Sequence, residues 1–267
     1  MAAIRSALMN VMTAAARKAA RGLVRDFGEV EHLQVSKKGP ADFVSNADLK
    51  SERTLREELS KARPDYGFRM EESAATPAKD GMHVWVVDPL DGTTNFLHGL
   101  PHFAISIGLE RNGEPIAGVI YDPVKDEMFW AEKSYGAYLN ERRLRISART
   151  KLEESLIASG LPFHGTKGHD RAAAEIGLLM PQVAGIRRFG AAALDLAYVA
   201  AGRYDAYWEY NLSPWDICAG IAIVREAGGI VTEPAGGEQM MKTGNILAGN
   251  VSVHPLLQAV LAKAKVQ

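Results

Sequence analysis

HVWVVDPLDGTTNF, residues 83–96, decides how this 267-residue chain is read. Val84, Trp85, Val86 and Val87 form an apolar, β-branched run that predicts a buried strand, and Asp88-Pro89-Leu90-Asp91-Gly92 predicts that it stops there in a tight reversal. Pro89 fixes one backbone angle and lacks an N–H, while Asp91-Gly92 is a turn pair, so the reversal would hold two carboxylates close together. Like charges at that range repel, and the usual relief is a shared proton or a hard cation such as magnesium or calcium. Thr93, Thr94 and Asn95 add hydroxyls and backbone N–H groups of the kind that hold phosphate. Taken alone, DPLDG is also an ordinary surface turn, so the rest of the chain has to choose.

Composition narrows the classes. The chain is long enough to bury a substantial core, and its formal net charge of -1 argues against a generally basic nucleic-acid binder. Its single cysteine, Cys218, sits in the apolar setting WDICAGIAIV and reads as a small core residue in a reducing compartment. No apolar run reaches membrane-spanning length and no signal-peptide core is present, which sets a cytoplasmic expectation. The acid-poor first 25 residues resemble a transit peptide, but Ile4, Leu8, Val11, Met12, Ala15, Ala19, Leu23 and Phe27 recur at helical spacing into the next segment, which favours a folded amphipathic helix.

Along the chain, Lys37-Lys38-Gly39-Pro40 predicts a loop, and Ser45 with Asp48 three residues later predicts a helix start that runs to Pro64. Asp48 is thus either a capping partner or a functional acid. Phe68-Arg69-Met70 leads to Glu71-Glu72, which reads as a solvated pair or as a strand end beside Asp88. From Phe103 the pattern is hairpins, with turns at Asn112-Gly113 and Asp122-Pro123 and an extension through Leu144-Arg145-Ile146. The second half alternates strand-like LIASGL, GIRRFG, YDAYWEY, GIVTEP and ILAGN with helical RAAAEIGLLM, AAALDLAYVAAG, PWDICAGIAIVREAG and HPLLQAVLAKAKV, which implies layered α/β structure in one composite domain. Its two halves span about 1–145 and about 146–267. Ser213-Pro214-Trp215-Asp216 is a good helix start in its own right, and Arg187 to Ala192 is either a strand-to-helix corner or a set of N–H groups facing a phosphate or polyol. His98 and His102 read as loop residues.

Glu71-Glu72, DPLDGTT and WDICAG, in that order and with KGPADFVSNAD before them, resemble the inositol monophosphatase family along nearly the whole chain. The resemblance implies a five-layered αβαβα sandwich, a metal-dependent phosphomonoesterase and a lithium-sensitive homodimer. Carried over position by position, Glu71, Asp88 and the Leu90 carbonyl would hold one Mg²⁺, and Asp88, Asp91 and Asp216 a second. A third ion would sit near Glu71 and Glu72. Thr93, oriented by Asp48, would work with Glu71 to activate the attacking water, with Lys38 in the outer shell. Gly92 and Thr93 N–H groups would grip phosphate, while Asp91, Ala192 and Glu209 would contact the alcohol. The substrate implied is inositol 1-phosphate or a similar small polyol phosphate. Relatives that act on fructose 1,6-bisphosphate, histidinol phosphate or 3′-phosphoadenosine nucleotides share nearly the same metal shell, and a regulatory RNA- or protein-binding member of the fold, using Arg142, Arg143 and Arg145, is the non-enzyme alternative. Two positions depart from the family pattern: Met70 where many relatives have glycine, and Ala191 where they often carry Ser or Thr.

Overall fold

The structure, a computed structural model, describes residues 5–29, 35–39 and 42–264, with 35–39 and 42–44 as backbone only. Ile4 of the expected first helix and the side chain of Lys38 lie outside the described residues. In chain order the elements are α1 (Ala7–Phe27), β1 (Val35–Gly39), β2 (Asp42–Ser45), α2 (Asn46–Ala62), β3 (Gly67–Met70), β4 (His83–Asp91), α3 (Thr93–Leu97), β5 (Ala104–Arg111), β6 (Glu114–Asp122), β7 (Glu127–Glu132), β8 (Gly136–Leu139) and β9 (Arg142–Arg143). They continue as β10 (Leu156–Ser159), α4 (His169–Leu179), β11 (Gly185–Arg187), α5 (Ala192–Ala200), β12 (Ala206–Glu209), α6 (Pro214–Glu226), β13 (Ile230–Thr232), α7 (Met240–Thr243), β14 (Ile246–Gly249) and α8 (Val253–Leu261).

Two sheets carry the fold. One runs β3-β4-β5-β6-β7-β8-β9, with β3 parallel to β4 and every later pair antiparallel. The other runs β11-β10-β12-β14-β13 and is parallel across β11, β10 and β12. Alternation along the strands sorts their residues into three cores. Trp85, Ile105, Ile107, Val119 and Trp130 pack against Met9, Met12, Leu23, Leu55 and Leu59 of α1 and α2. Ala104, Ile120 and Phe129 face the opposite way, toward Leu194, Leu196, Ile217 and Ile221 of α5 and α6, whose other side meets Tyr207, Ile246 and Ala248 of the second sheet. Ala206, Trp208 and Leu247 then cover Leu179 of α4 and Leu257 of α8. Helix pair, sheet, helix pair, sheet and helix pair make the five αβαβα layers.

Helix α6 comes close enough to the first sheet only because that sheet is notched. A Cβ on Gly108 would stand 2.7 Å from Cys218 Cβ, and one on Gly118 would stand 2.8 Å from Ala219 Cα. Cys218 is accordingly a fully buried packing residue whose thiol burial pushes upward. The groove fixes the helix start at Pro214, and with it Asp216.

Three expectations change. β4 does not stop at Asp88 but continues to Asp91 through a β-bulge, in which Asp88 pairs with Ser106 and Asp91 with Ala104. Lys37, Lys38 and Gly39 lie in β1, paired with β2 in a two-stranded hairpin rather than in a loop; Pro40 lies outside the described residues. Backbone pairing set by chain reversal overrode their polar, strand-poor composition. The first sheet ends at Arg142–Arg143, so Leu144 to Ile146 do not extend it as a strand.

Because the atoms facing Gly118 are α6 backbone with nowhere to move, Gly118→Ala is expected to lower stability by about 1–3 kcal/mol. The urea midpoint should fall with an unchanged slope; an unchanged midpoint would contradict this packing account.

Candidate metal and phosphate site

Residues three apart on a regular strand point to opposite faces, so Asp88 and Asp91 would be separated by the sheet itself. The bulge adds one residue between them. Their partners, Ser106 and Ala104, are two apart and share the face toward α5 and α6, and Ser106 Oγ donates to the Trp215 carbonyl of α6 at 3.2 Å. Asp88 holds the bulge itself, since its Oδ1 accepts from Leu90 N–H at 2.9 Å, and Ser51 of α2 braces it by donating to the Pro89 carbonyl at 2.8 Å. Gly92 then turns into α3 at φ 90°, a conformation that glycine enters without strain.

Parallel pairing delivers the next acid. Met70 pairs with Val87, and Glu71 N–H donates to the Val87 carbonyl at 3.3 Å, so Glu71 leaves β3 beside Asp88, as the strand-end reading anticipated. Glu72 follows it, its N–H held by Glu52 Oε2 at 2.8 Å.

Three of the expected site acids also cap helices. Asp48 Oδ2 accepts from Ser45 N–H and Oγ at 2.9 and 2.6 Å, while its Oδ1 accepts from Thr93 Oγ1 at 3.2 Å. The capping reading of Asp48 holds, and its second oxygen reaches the Thr93 hydroxyl. Asp216 Oδ2 accepts from Ser213 N–H at 2.7 Å at the start of α6. Asp91 Oδ2 accepts from Ala193 N–H at 2.8 Å, capping α5 from another element where Ala191 has no hydroxyl to do so. Gly92 packs beside Ala191, bringing Ala192 to the same corner.

The electrostatics bind these acids into one group. Burial raises the Asp88 carboxyl well above its ordinary range, and the charges of Glu71, Asp91 and Asp216 raise it further. Burial pushes Asp91 up to about 7 against the Ala193 N–H, with Glu209 and Glu71 adding to the rise. Asp216 is raised by burial first, then by Asp91, with Glu71 and Glu209 adding to the rise. Glu209, half-buried at the end of β12, rises to about 7 through burial, opposed by the Tyr207 hydroxyl bonded to it and by Arg188. Desolvation also raises Asp48.

Asp88, Asp91 and Asp216 each accept a backbone N–H, from Leu90, Ala193 and Ser213 respectively. Among the described residues, no group of three or more His, Cys, Asp or Glu side chains is arranged so that it could hold a metal ion. The donor chemistry fits a hard divalent cation: every candidate ligand is oxygen, several are anionic, and the Leu90 carbonyl, which also accepts from Thr93 Oγ1 at 3.0 Å, adds a neutral one.

Four contributors escaped the sequence reading. Asp195, on the first turn of α5, is 1% exposed, its Oδ1 has no partner, and burial followed by Glu209 and Asp91 raises its carboxyl. Its acidic character amid small residues was the available signal. Tyr207 was legible as the same-face neighbour of Glu209, whereas Ser51 and Glu52 became relevant only once α2 met β4 and the residues after β3. His98 is exposed at the end of α3 and His102 lies in the loop before β5, as expected. Arg142, Arg143 and Arg145 are exposed.

Comparison with known proteins adds an independent line. The family model described as "Inositol monophosphatase family" matches residues 4–267. An inositol-1-monophosphatase of Mesorhizobium japonicum is 56% identical over 96% of this chain and 97% of its own length. The crystal structure of the extragenic suppressor protein suhB from Bartonella henselae superposes with a TM-score of 0.95 at 56% identity, covering 97% of this chain and 100% of that one. A Pseudomonas aeruginosa protein named Nus factor SuhB is 43% identical over 91% of each chain.

The sign of the pH dependence follows from the raised carboxyls. The folded state keeps protons that the unfolded chain has already released, so the stability of cation-free protein should fall as pH rises from about 4 to about 7. Melting temperature in chelator is expected to drop across that window, with added divalent cation reversing much of the drop. A flat or rising profile would contradict the raising of these buried carboxyls.

Proposed function

The chain belongs to the inositol monophosphatase family, and we propose that it is a magnesium-dependent phosphomonoesterase that hydrolyses inositol 1-phosphate, or a similar small polyol phosphate, to the alcohol and phosphate. The observation that carries this is the gathering of Asp88, Asp91, Asp216 and Glu71 into one electrostatic group at the ends of β3 and β4 and the start of α6. In this reading Glu71, Asp88 and the Leu90 carbonyl hold one ion, and Asp88, Asp91 and Asp216 hold a second. Glu71 and Glu72 stand near a third, and Lys38 belongs to the outer shell.

Phosphate monoester dianions repel hydroxide and must release an alkoxide, so the site has to offset charge on both sides of phosphorus. When bound, magnesium supplies that positive charge and acidifies water. The chain supplies orientation and proton transfer. Asp48 and the Leu90 carbonyl hold the Thr93 hydroxyl in place, and Thr93, passing its own proton to Asp48 as it accepts one, works with Glu71 to remove the proton of the attacking water. Gly92 and Thr93 N–H groups receive the phosphate at the αL turn. Asp91, Ala192 and Glu209 meet the alcohol, where the Glu209 carboxylate suits hydroxyl donors and disfavours a second phosphate. Homodimerisation, a cytoplasmic location and lithium sensitivity belong to the same family-based reading. No helix among the described residues is long and apolar enough to cross a membrane.

The relative named Nus factor SuhB keeps a second reading in view, a partner- or RNA-binding protein on the same fold. A net charge of -1 and an acidic site make the hydrolase the better fit.

Phosphate release from inositol 1-phosphate should require Mg²⁺, and both Asp91→Asn and Thr93→Ala should lower kcat by about 10²-fold or more. Equal background rates with and without Mg²⁺, and in the variants, would favour the non-enzymatic reading. Across inositol 1-phosphate, fructose 1,6-bisphosphate, histidinol phosphate and 3′-phosphoadenosine nucleotides, kcat/KM should be highest for the first; a clear win for a bisphosphate would displace it.

A further inference from the structure

Glu209 closes β12, and the strand beside it leaves a hole where its carboxylate lies. β10 runs parallel to β12 with Ser159 opposite Trp208, which puts Gly160 laterally beside Glu209. A Cβ built on Gly160 would land inside the Glu209 carboxylate, overlapping Cδ and both oxygens. Gly160 is outside the left-handed region, so conformation does not demand glycine there. The demand comes from the space.

The strand itself cannot step aside to relieve such a clash. Trp208 and Tyr210 flank Glu209 and point to the opposite face, where Glu175 of α4 takes both, Trp208 Nε1 at 2.9 Å and the Tyr210 hydroxyl at 2.6 Å. Glu175 is 2% exposed, so both of these bonds are buried or nearly so and costly to break. On the inner face the Tyr207 hydroxyl donates to Glu209 Oε2. A side chain at residue 160 therefore displaces the Glu209 carboxylate rather than the strand.

We propose that Gly160 is a specificity-determining position: its missing side chain seats the Glu209 carboxylate where a hydroxyl of the alcohol can reach it. This rests on the reading that Glu209 meets the alcohol. The three atoms nearest a Cβ at Gly160 all belong to the Glu209 carboxylate, so the effect of a side chain there should fall mainly on the leaving group that this carboxylate meets.

The test compares wild type, Gly160→Ala, Glu209→Ala and the double variant on inositol 1-phosphate and on p-nitrophenyl phosphate, whose aryl group offers Glu209 no hydroxyl. Gly160→Ala should lower kcat/KM for inositol 1-phosphate by about 10-fold or more, mostly through KM, because a site built to bind a hydroxyl loses much when its partner is displaced. The aryl phosphate rate should stay within about threefold, which also reports an intact fold and ion site in the same preparation. In the Glu209→Ala background the second substitution should add no loss beyond about twofold, since the group it displaces is gone. An equal fall on both substrates, a full further fall in the double variant, or an unchanged inositol phosphate rate would each overturn the proposal. Should wild type prefer another ester, the inositol reading fails separately, and the same ratio measured with that ester decides the role of Gly160.

Discussion

A single inserted residue in β4 is the constraint on which the rest depends. Without it, Asp91 would point into the apolar core beneath α1 and α2 together with Trp85 and Val87, a placement for a carboxylate that nothing there could compensate. With it, Asp88 and Asp91 face the same layer, and Leu90 takes the apolar side in their stead. Pro89 fits the irregular segment, where its missing N–H breaks no regular ladder. The notch at Gly108 and Gly118 that draws α6 inward, and the parallel β3 that brings Glu71, complete what the bulge begins.

Concentrating carboxylates this way opposes folding, and the structure offsets part of that cost with helix ends. Asp48, Asp91 and Asp216 accept backbone N–H groups at the starts of α2, α5 and α6, so three helix N-termini, each with partial positive charge, are turned toward the acidic group. Each acid thereby has one oxygen fixed by a backbone N–H of the scaffold. A side chain held in this way is oriented before any ligand arrives. A carboxylate has two oxygens, so a residue that caps a helix can still meet a second group, as Asp48 does with the Thr93 hydroxyl.

Much of this was legible in the amino-acid order. The helix starts at Ser45 and Ser213, the Asn112-Gly113 hairpin, the alternation of the second half and the amphipathic first helix all follow local rules, and each appears where those rules put it. The acids were legible as candidates because DPLDGTT, Glu71-Glu72 and WDICAG occur in a specific order. Their convergence was not legible from local rules. DPLDG reads as a reversal because Pro and Gly signal turns, whereas the strand pairs onward because β5 offers partners on both sides of the bulge. The β1–β2 hairpin was missed for a related reason, its pairing being decided by proximity rather than by composition. Asp195, Ser51 and Gly160 gain meaning only from neighbours far off in sequence, where burial, a carbonyl or a carboxylate gives them a task.

The claim at the centre is that Asp88, Asp91, Asp216 and Glu71 converge on divalent cations. Anomalous diffraction from crystals soaked in Mn²⁺, a magnesium surrogate visible by its scattering, tests it directly. The account predicts peaks ligated by Glu71, Asp88 and the Leu90 carbonyl, and by Asp88, Asp91 and Asp216. Well-ordered carboxylates with no ion among them at saturating Mn²⁺, or Asp216 turned away from Asp88 and Asp91, would contradict it.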